Sequence, residues 1–102
     1  MRWPFRRIPA LGRGLPSKYA EGTAVFDARV KAHFPLEMDE AAFLGELRKQ
    51  GYKPDPYVPE LPDFGSATFY QGVIFVTLWS IRWRVREGRI VEVFGIYGCI
   101  AP

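Results

Sequence analysis

The chain has no asparagine, a single cysteine, a single histidine and three serines among its 102 residues, and each scarcity removes a class of chemistry. With Cys99 alone, no intramolecular disulfide and no C-x-x-C metal or redox pair can form, and a small buried apolar role is expected for it. Nucleophilic and acid–base catalysis needs several reactive groups held together. His33 stands beside Phe34 and Pro35, a setting for a structural histidine at or just under the surface. It shares no recognised metal-ligand spacing with the carboxylates. The stretch "GRGLPSK" neither matches a G-x-x-x-x-G-K phosphate loop nor follows a strand. The expectation is a non-enzymatic protein with no catalytic residue, no metal ligand and no cofactor.

Long hydrophobic runs are missing as well. The longest, "VIFVTLW", is far short of the ~20 residues a membrane-crossing helix needs, so no transmembrane segment is expected. The basic opening "MRWPFRRIPALGRGLPSKYAEG" leads into no apolar run of the signal-peptide kind. A cytoplasmic location is the default expectation, with the envelope as the alternative if a signal segment once preceded residue 1.

Charge is present but unevenly placed. Residues 1–20 carry five basic side chains and no acid, residues 21–63 carry five basic against nine acidic, and residues 64–102 carry four basic against two acidic. The sequence pI of about 9.2 therefore reflects mainly the opening stretch. A slightly acidic body argues against binding nucleic acid through the folded domain. Length and a 48% hydrophobic content fit one domain with one modest core.

Pro4, Pro9, Pro16, Gly12 and Gly14 interrupt every regular window in residues 1–20, which read as a flexible basic arm ahead of a single domain over 21–102. Trp3 and Phe5, set among its arginines, suit an unstructured tail or a polyanion- or membrane-touching one. Residues 23–34, "TAVFDARVKAHF", alternate as a strand would, yet Phe26, Val30 and Phe34 also lie four apart and Asp27 can pair with Lys31. A helix over 23–33 is preferred, stopped by Phe34 before Pro35. A second helix is expected over 39–50, with Asp39 as N-cap and Gly51 as the stop. Glu37, Asp39 and Glu40 then supply N-terminal helix charge rather than an acid–base pair. Four prolines make residues 52–63 a stiff connector, neither helix nor central strand.

The last third reads as a meander: strand "SATFY", a break at Gln71-Gly72, a run to Arg86, a turn at Glu87-Gly88, and a return in "RIVEVFGIYG". A two-residue loop sets Arg86 opposite Arg89 and Trp83 opposite Glu92. A three-residue loop with a left-handed Gly88 sets Val85 opposite Arg89, Trp83 opposite Val91, Ile81 opposite Val93 and Arg82 opposite Glu92. The second gives one apolar face and paired charges on the other, and is preferred. The fold expected is two-layer α+β, with two helices packed on a three-stranded antiparallel sheet in the order α-α-β-β-β.

This layout, ending in the hairpin "WSIRWRVREGRIVEV", resembles small bacterial two-helix, three-strand domains: the SmpA/OmlA-type outer-membrane assembly lipoproteins and the repeats of the β-lactamase inhibitor protein. The resemblance spans roughly residues 23–97 and implies a protein-binding module without catalysis. It transfers no functional residue, and the lipoproteins' lipid-bearing cysteine near the start has no counterpart here. From the residues themselves, Arg82, Arg84 and Arg86 share one strand face, with Glu92, Ile90 and Phe94 across from them. Trp83 points the other way, which disfavours base stacking on the arginine side. The expectation is a protein-interaction surface of Arg82, Arg84, Arg86, Glu92 and Phe94. The alternative is polyanion or nucleic-acid binding by the same arginines and the basic arm.

Overall fold

A computed structural model describes residues 7–56, 58–59 and 61–100. Trp3, Phe5, Arg2 and Arg6 of the expected arm, and Tyr57 of the Pro-rich connector, lie outside the described residues.

In residues 23–34 the four-residue spacing prevails over the alternation. Helix α1 runs Tyr19–His33 and buries Gly22, Phe26 and Val30 on one face, while Lys31 Nζ sits 2.9 Å from Asp27 Oδ2 on the wet side. It starts four residues before the expected Thr23, because Glu21 suits a first helical turn and no proline falls between Ser17 and Phe34. Phe34 is extended and ends it ahead of Pro35. Helix α2 runs Glu40–Gln50, and the Asp39 carboxylate accepts from the Ala41 and Ala42 amides at 3.1 and 3.3 Å. Phe43 and Leu47 are its buried stripe.

Among the described residues four strands follow in sheet order, all antiparallel: β1 (Lys53–Pro54), β2 (Phe64–Gln71), β3 (Val76–Arg86) and β4 (Arg89–Ile100). The expected three-stranded sheet is thus α+β as read but one strand short. The missing strand is two residues of the Pro-rich connector, pairing Lys53 with Thr68 and Pro54 with Ala67. An edge position tolerates a proline that a central strand would not.

The β3–β4 hairpin follows one of the registers weighed from sequence at its turn and neither of them beyond it. At the turn Arg86 faces Arg89, so the loop is the two-residue one: Glu87 and Gly88 both have positive φ, 52° and 74°, as a mirror-image type I turn requires. A bulge then changes the register between Arg84 and Val85, whose partners are Glu92 and Ile90, leaving Val91 as the extra residue. Trp83 therefore meets Val93, and Ile81 meets Gly95. The expected three-residue loop is corrected. A bulge reconciles the tight turn with an apolar row that neither uniform register provides.

The helices lie on the face of Ala67, Phe69, Trp79, Ile81, Trp83 and Val93, all buried. Phe34, Phe43 and Trp83 form an edge-on stack with ring centroids 4.8 and 4.9 Å apart. Contact of α1 with β4 is close because Gly95 has no side chain: a Cβ there would come 2.8 Å from Phe26 and 3.0 Å from Val30. Two α1 side chains also engage the outer edge of β4. Asp27 Oδ1 accepts from the Gly95 amide at 2.9 Å, and Thr23 Oγ1 accepts from the Tyr97 amide and donates to its carbonyl. Further down, the Ile90 amide donates to Met38 O and its carbonyl accepts from Glu37 N.

Residues 8–20 do not behave as the expected free arm. A single 3-10 turn at Ala10–Gly12 places Gly12 O 3.1 Å from the Trp79 indole nitrogen, which donates to it. Ile8, Leu11 and Leu15 pack against the core, and Arg29 donates to the carbonyls of Leu11 and Arg13. The same prolines that bar regular structure thus lead an irregular strap over the end of α1 and Trp79.

Candidate functional site

Side-chain alternation puts Ser66, Thr68, Tyr70, Leu78, Ser80, Arg82, Arg84, Phe94 and Ile96 on the sheet face away from both helices. No described helix covers this face. All five expected surface residues are placed there or at its turn end. Arg82 pairs across the ladder with Phe94, Arg84 with Glu92, and Arg86 with Arg89. The opposite-charge pair is therefore Arg84 with Glu92, at 3.8 Å, and not Arg82 with Glu92. Ile90 is corrected as well: it opposes Val85, belongs to the helix side and is fully buried. Arg82 is half-buried, and its Nε is enclosed without a hydrogen-bond partner. Arg84, Arg86 and Glu92 are exposed.

Beneath this surface runs a chain of hydroxyls that was not among the expected site residues. Thr68 Oγ1 is 2.7 Å from Asp55 Oδ2 and 3.0 Å from Ser80 Oγ, and Ser80 Oγ is 3.4 Å from Ser66 Oγ. The ionised carboxylate only accepts, so the one Thr68 proton goes to Asp55 and the Thr68 oxygen receives the proton of Ser80. Tyr70 donates to the other Asp55 oxygen at 2.9 Å. Ser80 is only 1% exposed, although no helix among the described residues covers it. The signal was available: Ser66, Thr68 and Ser80 interrupt apolar strands at same-face positions. Their acceptor comes from the distant connector, which no local pattern shows.

His33 bridges the two helices at the surface. Its Nε2 lies 3.1 Å from Glu46 Oε1, which also accepts from Gln50 Nε2 at 2.9 Å. The Gln50 amide, and after it His33, hold the Glu46 carboxyl below the usual carboxylate range. Cys99 is exposed, not the buried small residue expected, because it lies near the end of β4 where only the start of α1 reaches it, through Tyr19. Glu40 lies in the first turn of α2 beside the Asp39 cap, as helix-terminal charge, whereas Glu37 precedes the cap and donates its amide to Ile90 O. Among the described residues no three His, Cys, Asp or Glu side chains gather as a metal site, and no helix is long and apolar enough to cross a membrane.

No protein-family model, curated protein or solved structure matches this chain.

Proposed function

We propose that this chain is a small protein-interaction module that uses the outer face of its sheet, with Arg82, Arg84, Arg86, Glu92 and Phe94 as the contacting residues. The observation that carries the reading is Arg82: its guanidinium stem is half-buried beside Phe94, and its Nε has no acceptor within the described fold. Swung outward from its half-buried position, that donor would meet a carboxylate supplied by a partner, and Phe94 with the arginine stems would contribute apolar contact area. The loose Arg84–Glu92 pair, exposed on both sides, offers little intrinsic stabilisation and is free to exchange partners. The likeness in layout to the outer-membrane assembly lipoproteins and inhibitor repeats is part of this proposal and supports a non-catalytic role.

The test is affinity capture from the native host with the wild-type chain and with Arg82→Glu combined with Arg84→Glu. A partner recovered by the first and lost by the second is expected. Recovery unaltered by the double change overturns the assignment of this face. A parallel titration with oligonucleotide at low salt decides against the polyanion alternative if nothing binds. Steeply salt-dependent binding lost in the same variant replaces the protein reading with that one.

A further inference from the structure

A cavity of about 520 Å³ lies on the helix side of the molecule, between α2, the connector that follows it and the Gly65–Trp83 end of the sheet. Its size falls within the roughly 300–1,000 Å³ of small-molecule sites. Leu44, Leu47, Tyr52, Val58, Ala67 and Trp83 give it an apolar lining. Two cations, Arg48 and Lys53, also line it, both are exposed, and neither forms an ion pair among the described residues. The carboxylate that shares the lining, Asp55, has its oxygens accepting from Thr68 and Tyr70. One wall residue is costly to the fold as it stands: Tyr52 is 2% exposed, and its hydroxyl is enclosed with no partner. Fully buried polar groups are normally satisfied, and an exception calls for an explanation such as strain, a functional role or a bound water or ion.

We propose that this cavity binds an aliphatic carboxylate, with its chain against Leu44, Leu47, Ala67 and Trp83 and its head group at Arg48 and Lys53. The lining sets the apolar body, and the surplus of positive charge among the described lining residues sets the sign of the head group. The site shares none of the five residues assigned to a protein partner, although Ser66 and Asp55 border both, so either assignment can fail without the other.

The probe is decanoate, titrated below its micelle concentration into the ¹⁵N-labelled full chain, with decanol and decylamine as comparisons. Saturable shifts at the Leu44, Leu47, Tyr52 and Ala67 amides and the Trp83 indole are expected, with decanoate about tenfold tighter than decanol. Arg48→Glu with Lys53→Glu, both at exposed positions, removes the preference for decanoate, leaves decanol unchanged and favours decylamine. Leu44→Trp fills the cavity and abolishes binding of all three; because it can also disturb packing, the charge variant carries the decision. Absence of saturable shifts, shifts confined to the outer face, or an order of the three ligands unmoved by charge reversal each overturns the proposal.

Discussion

The two faces of the sheet come from the same three long strands and are closed by different means. On the helix side, shape does the work: Phe26 and Val30 seat on Gly95, and Phe43 meets Trp83 edge-on. On the other side, the innermost groups are hydroxyls satisfied by one another and by Asp55, with arginines, Glu92 and Phe94 above them. Alternation alone produces the division of residues. Oily contact closes one layer completely, whereas a hydrogen-bonded layer closes the other while keeping its outside available.

That contrast can be broken by substitution. Phe26→Ala should destabilise by about 3–5 kcal/mol, the usual range for a fully enclosed phenylalanine, and Phe94→Ala by only about 1 kcal/mol, since Phe94 is half-buried. Urea unfolding of the two variants checks this, and equal losses would mean that the outer face is also covered. Thr68→Val keeps the shape of the outer layer while removing the proton given to Asp55 and the acceptor for Ser80. A loss of about 1–3 kcal/mol is expected by the same measurement, with the helix-side packing unaltered in methyl NMR spectra.

The smallest effect concerns the His33–Glu46–Gln50 seam between the helices. The folded-state pKa of Glu46 lies below its ordinary value of 4.5, so the stabilisation it provides is present above that value and is lost as pH falls through the lowered one. Glu46→Gln should therefore flatten the acid limb of stability below about pH 4.5 and leave the outer-face variants' behaviour unchanged. Thermal unfolding midpoints across pH measure it, and an acid limb identical to the wild type would remove Glu46 from the account.

What could be read in the sequence follows the range of the interactions involved. Asp39, Gly51 and Phe34-Pro35 act on neighbouring backbone, so the bounds of α2 and the end of α1 were legible. The outward set of Arg82, Arg84 and Arg86 follows from period-two alternation. The bulge at Val91 did not emerge, because a single slipped residue depends on which apolar row the helices select. The edge strand at Lys53–Pro54 and the Asp55 acceptor are tertiary pairings of a segment whose own composition argues for no structure. Residues 8–20 were misjudged for a related reason: their contacts are to Trp79 and Arg29, far along the chain.

The grip of Thr23 and Asp27 on Gly95 and Tyr97 has a further consequence for assembly. Those side chains occupy main-chain groups that another chain would need for strand addition, and Glu37 and Met38 do the same at Ile90. An incoming strand would have to break those hydrogen bonds before it could pair with β4 at Ile90, Gly95 or Tyr97.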